Sequence, residues 1–116
     1  LGTQGVCGYN PCMDRDTLLK QVKEAILTIE PTAEVVLYGS RARGDSRTES
    51  DWDFLILVEG PADDDRVDRI RHRLYEIEWE SGQVLSSIVR SRQQWSSQPL
   101  SSTPFHSNVE LEGIVL

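Results

Sequence analysis

VVLYGSRARGDSRTESDWDFLILV, residues 35–58, decides how the rest of the chain is read. Val35, Val36, Leu37 and Tyr38 form a short, unbroken apolar run, the pattern of a buried strand. Gly39 and Ser40 close it at a corner that opens a short basic helix. The chain then stays polar through Arg41, Arg43, Gly44, Asp45, Arg47, Thr48, Glu49 and Ser50. A second strand is expected over 51–58: acidic and bulky residues alternate at its start, and it is wholly apolar afterwards.

Upstream, Leu18, Leu19, Val22, Ala25, Ile26 and Ile29 recur at helical spacing behind Asp14 or Asp16, either of which suits an N-cap. Pro31 ends that helix, since proline cannot continue the hydrogen-bond ladder. Downstream, Gly60 and Pro61 break the second strand, and Asp63, Asp64 and Asp65 favour the positive end of a helix dipole. That helix is expected to run to Ser81, with Val67, Ile70, Leu74 and Ile77 on its inner stripe and Gly82 as C-cap. A third strand is expected over 83–89. Ser91 suits the cap of a short helical turn carrying Trp95, and Thr103 and Pro104 read as N-cap and first residue of a last helix. Phe105 and Val109 would anchor that helix by i, i+4 contact, and Ile114, Val115 and Leu116 are expected to pack inward.

A length of 116 residues favours one domain with its own core. The net charge of −7 argues against a general nucleic-acid binder, because such binding draws on Lys and Arg neutralising phosphates. No run is long enough for a transmembrane helix and no signal-peptide pattern is present, so a cytoplasmic protein is the default. Cys7 and Cys12 have no His nearby, which leaves zinc unsupported, and a disulfide between them is disfavoured in reducing cytosol. Residues 1–12 are expected to be a leader outside the domain, which would occupy 13–116.

Residues i and i+2 on a strand share a face, so Asp51 and Asp53 point one way and Trp52 the other. Their Cβ atoms stand roughly 6.5–7 Å apart. Two carboxylates at that separation can converge on a divalent cation such as Mg²⁺, or can simply be solvated at a strand end. The corner upstream favours the first reading. A glycine and a small hydroxyl residue at a strand-to-helix corner turn backbone N–H groups toward an anion, with Arg41 or Arg43 adding charge. A phosphate corner beside a metal-facing acid pair suits a nucleoside triphosphate bridged to Mg²⁺.

Gly39-Ser40-Arg41-Ala42-Arg43-Gly44 followed by Ser50-Asp51-Trp52-Asp53 resembles the GSxARG…SDxD signature of the minimal nucleotidyltransferases of the DNA polymerase β superfamily. The resemblance covers about residues 14–112. It implies a small α/β (α+β) domain, a mixed sheet flanked by helices, and metal-dependent nucleotidyl transfer. By position, Gly39 and Ser40 would hold the β and γ phosphates with Arg41, Arg43 and Ser50 nearby, and Asp51 and Asp53 would be catalytic metal ligands for Mg²⁺ or Mn²⁺. Arg43 could equally be a structural partner of Asp51, Asp45 or Glu49. In active members a third carboxylate sits on the next strand. Here that stretch, Gln83-Val84-Leu85-Ser86-Ser87-Ile88-Val89, has no acid. Ser86 or Ser87 takes the place, or Glu76 or Glu80 substitutes from the preceding helix.

The function expected from the resemblance is transfer of AMP from ATP to a hydroxyl of a partner protein or small molecule. The alternative is a catalytically weak or inactive nucleotide-binding module of antitoxin type, acting by binding a HEPN-type partner. An aminoglycoside-modifying enzyme shares the signature but needs a second domain for the drug. His72 and His106 read as surface residues, since no Ser or Cys nucleophile accompanies them. Trp52 and Phe54 read as core, and Trp79 and Trp95 as packing residues rather than base-stacking ones.

Overall fold

The computed structural model describes residues 15–39 and 51–116. Helix α1, Arg15–Ile29, buries Leu18, Val22, Ala25 and Ile26, which is the single apolar stripe its spacing dictates. It starts at Arg15, so Asp16 lies inside its first turn, while Asp14 falls outside the described residues. A turn closed by the Ala33 N–H donating to the Glu30 carbonyl at 3.0 Å carries the chain past Pro31 into strand β1, Glu34–Tyr38. Strand β2, Trp52–Val58, pairs antiparallel with β1, Tyr38 opposite Asp53. Asp51 sits one residue before the strand rather than within it.

Helix α2, Asp64–Ser81, follows. Asp63 turns out to be its cap, accepting from the Arg66 N–H, and Gly82 ends it at a left-handed φ of 73°. Strand β3, Leu85–Ser91, returns parallel to β2 with Asp53 beside Ser86. Ser91 and Gln94 then form a reciprocal capping box at the start of helix α3, Arg92–Ser96, which carries buried Trp95. After a 3₁₀ turn at Leu100–Ser102, Thr103 caps helix α4, Pro104–Glu112, and Val109 is its buried anchor. Phe105 meets Tyr38 and Trp95 edge-on, with ring centroids 5.3 and 5.8 Å apart.

The chain end differs from expectation. Ile114 and Val115 form a two-residue strand β4 against β1, and their side chains stay 37% and 62% exposed. Backbone pairing to β1, continued by the Leu116 N–H donating to the Val35 carbonyl at 2.9 Å, holds the segment at the edge of the sheet. Only Leu116 packs against the core.

The mixed sheet has the order β3-β2-β1-β4. Both faces are covered, which is why β2 can be apolar without alternation. On one face Trp52, Phe54, Ile56 and Val58 pack with the buried residues of α1 and α2. On the other, Leu55 and Leu57 pack with Val36, Trp95 and Val109. Among the described residues no helix is long and apolar enough to cross a membrane.

One buried ion pair fastens the helical layer to the sheet. Glu30, only 7% exposed, accepts from Arg66 Nη2 at 2.6 Å and Nε at 2.8 Å, and the same guanidinium donates to the Glu59 and Pro61 carbonyls. Hydrogen bonding from Arg66 holds the Glu30 carboxyl below its ordinary value, against the opposing effect of burial. Arg66→Met would leave that carboxylate buried and unpaired, and should lower stability by about 3 kcal/mol at neutral pH. Because the folded-state pKa of Glu30 is depressed, the stabilisation is fully present above the unfolded value and disappears as pH falls through the folded one. The difference between wild type and variant should therefore shrink in acid. Urea melts of both chains at neutral pH and below the carboxylate range test this; a constant difference would rule the ion pair out as the source.

Candidate functional site

Strand β1 is followed by Gly39, whose φ of +81° lies in the left-handed region. A Cβ built there would stand 2.7 Å from Asp53 Oδ2, so the conformation favours glycine and any side chain would push the carboxylate aside. The antiparallel register explains the approach. Tyr38 lies directly opposite Asp53, and the residue after the strand, Gly39, lies against the aspartate side chain.

Asp53 is half-buried, and its carboxyl is pushed above the usual carboxylate range, first by burial and then by the negative charge of Asp51. The two aspartates therefore act on each other, as their i, i+2 spacing predicts. Among the described residues no cationic side chain pairs with either one. A half-buried carboxylate, repelled by its neighbour and without a cationic partner among the described residues, together with an exposed second one, is a donor set that suits a hard divalent ion. Tyr38 shares the environment: burial, followed by the charge of Asp53, raises its hydroxyl above the usual phenol range. With Phe105 edge-on behind it, Tyr38 forms an aromatic wall beside Asp53. In the sequence Tyr38 reads only as part of an apolar run; the β1–β2 register that sets it opposite Asp53 is a matter of tertiary pairing.

The register also resolves where a third acid would stand. Ser86 is the parallel-strand neighbour of Asp53, whereas Ser87 neighbours Phe54 and belongs to the opposite face. Neither helical glutamate substitutes. Glu76 pairs with Arg73 at 2.7 Å and His72 at 3.5 Å on the exposed surface of α2, and Glu80 accepts from Gln21 of α1 at 2.9 Å. Both belong to the helical layer, on the sheet face away from Asp53. Among the described residues there is no cluster of three His, Cys, Asp or Glu side chains.

Ser40, Arg41, Arg43 and Ser50 lie outside the described residues; of the expected site, Gly39, Asp51 and Asp53 are described, and they converge. His72 is on the surface as expected. His106 lies over the Trp95 ring with centroids 4.4 Å apart, and Trp95 donates to Glu110 at 2.7 Å, which gives both packing roles. Trp79 does not pack into the core: among the described residues it is one of the most exposed large side chains.

The family model of the nucleotidyltransferase domain matches residues 19–108. A provisionally named protein adenylyltransferase of Methanocaldococcus jannaschii is 37% identical over 83 residues, covering 72% of this chain and 76% of its own. A solved structure from Sulfolobus solfataricus, provisionally a nucleotidyltransferase, superposes with a TM-score of 0.52 at 23% identity, over 84% of this chain and 75% of that one. The last comparison supports the fold alone, a mixed four-stranded sheet with helices. Nucleotidyltransferase domains generally work with a divalent metal, the kind of ion that the Asp51 and Asp53 donor set suits. A family match over most of the chain, a relative of this similarity and a shared fold agree: the chain belongs to the nucleotidyltransferase domain family and is a transferase of phosphorus-containing groups.

Proposed function

We propose that this chain transfers AMP from ATP to a hydroxyl of a partner protein, in the cytoplasm, with Mg²⁺ or Mn²⁺ held by Asp51 and Asp53. The observation that carries the reading is the contact of the Gly39 corner with Asp53, which brings a phosphate-type turn and a cation-seeking carboxylate into one place. The name of the Methanocaldococcus jannaschii relative supports AMP and a protein acceptor. Ser40, Arg41, Arg43 and Ser50 are assigned to the triphosphate. When bound, the metal supplies Lewis acidity for the attacking hydroxyl and the departing pyrophosphate. Tyr38, opposite Asp53 with Phe105 edge-on behind it, is the apolar wall that would keep bulk water from the reacting end of the nucleotide. The acceptor oxygen bonds to the α-phosphorus as the α–β anhydride bond breaks, and pyrophosphate leaves.

A second reading draws on Ser86. With a neutral hydroxyl beside Asp53 where active relatives place an acid, the chain would bind nucleotide with little turnover and act as an antitoxin by covering a HEPN-type partner. Incubation with ATP labelled at the α or at the γ phosphate separates the two. Label is expected on protein from α-labelled ATP only, and chelation of divalent metal should abolish it. Label from the γ position, or none from either while Mg²⁺ and ATP still bind, would rule out AMP transfer.

A further inference from the structure

Where β3 gives way to α3 there is a cavity of about 490 Å³, with Arg90, Gln93, Gln94, Gln98, Pro99 and Leu100 in its walls. It is separate from the carboxylate corner but shares its sheet face. Ser86 stands beside Asp53, Arg90 stands beside Leu57 of the second core, and Ser86, Ile88 and Arg90 alternate onto that face. Four strand rises, about 13 Å, separate Ser86 from Arg90. Some of the polar groups in the cavity are already engaged. Gln94 Oε1 accepts from the Ser91 N–H at 2.9 Å, and the Ser97 hydroxyl donates to the Gln93 carbonyl at 2.6 Å. Arg90 Nη1 donates to the Val89 carbonyl at 2.8 Å, which ties one side of the guanidinium to the strand. Its other N–H groups are unspent: acidic residues outnumber basic ones by 19 to 12 in the sequence, yet among the described residues no carboxylate pairs with Arg90. The side-chain amides of Gln93 and Gln98 likewise have no hydrogen-bond partner among the described residues.

We propose that this cavity binds a carboxylate on a short apolar stem, the side chain of a glutamate of the acceptor protein, and so selects which hydroxyl receives AMP. The anchoring role rests on the AMP-transfer reading and narrows its acceptor; the binding itself does not depend on it. A guanidinium presents its N–H groups in a fixed fork that matches the two oxygens of a carboxylate. The Gln93 and Gln98 amides add N–H donors for the remaining lone pairs, and the Pro99 ring and Leu100 give the methylenes of the stem an apolar wall. A cavity of this size with a few convergent polar groups is the usual form of a binding site. Charge decides between a carboxylate and a phosphate. One unpaired guanidinium balances one negative charge, whereas a phosphate brings nearly two into a protein of net charge −7. With the carboxylate held at Arg90, the rest of the acceptor has the 86–90 stretch of β3 to cross before a hydroxyl reaches Asp53.

Binding is read first, on the full chain without ATP, by following the side-chain amide resonances of Gln93 and Gln98 in titrations with N-acetylglutamate α-methylamide and its glutamine analogue. The glutamate compound should bind at least about tenfold more tightly, the share of a charge-assisted hydrogen bond. Arg90→Gln should erase that preference and leave the melting temperature unchanged, since the side chain is exposed. Equal binding of the two compounds, no shift with either, or a preference that survives in Arg90→Gln would overturn the carboxylate site. The second arm adds Mg²⁺, α-labelled ATP and capped peptides with one tyrosine and one glutamate about four to six residues apart, enough to span the strand rises. Their KM should lie about tenfold below that of glutamine counterparts in the wild type and equal it in Arg90→Gln, with the KM for ATP unchanged. Glutamate peptides labelled no better than glutamine ones, or binding of the free compound but of no peptide, would make the ligand a small carboxylate and overturn the anchoring role. A chain that binds the glutamate compound through Arg90 but labels nothing would count against the transfer reading alone and leave the carboxylate site standing.

Discussion

Asp53→Asn is expected to lower AMP transfer at saturating ATP by about 10³-fold, equivalent to about 4 kcal/mol of barrier. The substitution keeps the shape of the side chain and the pairing of β2 with β1, so the Gly39 corner stays where it is. What changes is the charge available to a divalent ion beside the nucleotide. The same substitution should leave the metal-free fold at least as stable as the wild type. Burial and the neighbouring charge of Asp51 both oppose ionisation of Asp53, and a group whose folded-state pKa is raised weakens the fold at pH values above it. Activity falling while the metal-free melting temperature holds or rises is the signature of a residue kept for chemistry. Activity and melting temperature falling together would instead make Asp53 a structural residue. Measuring α-label transfer alongside thermal melts in chelator separates the two.

Ser86→Asp should move the other way, raising the turnover number by about 10²-fold, the lower end of what a positioned general base contributes. Parallel register sets Ser86 beside Asp53 on the same face, and neighbouring strands run about 4.8 Å apart, so an aspartate at 86 would complete a three-carboxylate cluster. Without metal, three like charges in a half-buried setting repel, and the variant should melt at a lower temperature than the wild type in chelator. Added Mg²⁺ should then raise its melting temperature by more than it raises that of the wild type. Ser87→Asp is the control, since position 87 neighbours Phe54 on the helix-covered face and cannot reach the site. A Ser86→Asp chain no faster than wild type would mean that the missing acid is not what limits this protein.

Local pattern carried most of the architecture. The Leu18, Val22, Ala25, Ile26 stripe, the Asp63 and Gly82 caps and the Thr103-Pro104 start are decided within a few residues, by periodicity and by the needs of unpaired backbone groups. The short strand at 114–115 was not legible in this way, because pairing with β1 is a long-range event, and three terminal apolar residues look the same whether buried or paired at an edge. Nor was the exposure of Trp79, whose size suggested packing; only the placement of α2 over the sheet shows which of its flanks has no neighbour.

By itself the sequence determined that a glycine corner follows one apolar run and that an i, i+2 pair of aspartates opens the next, since both depend on spacing along the chain. It also named the candidate residues at 39–53. Tertiary structure alone decided that Gly39 lies against Asp53, that Tyr38 stands opposite it, that Ser86 rather than Ser87 is its neighbour, and that Glu76 and Glu80 sit on the far side of the sheet. The reason is register. A strand's side chains alternate between faces, so a shift of one residue between β2 and β3 would exchange Ser86 for Ser87, and nothing within either strand specifies that shift. It is specified by the two cores packed on opposite faces of the sheet, which form only once the helices have closed over it.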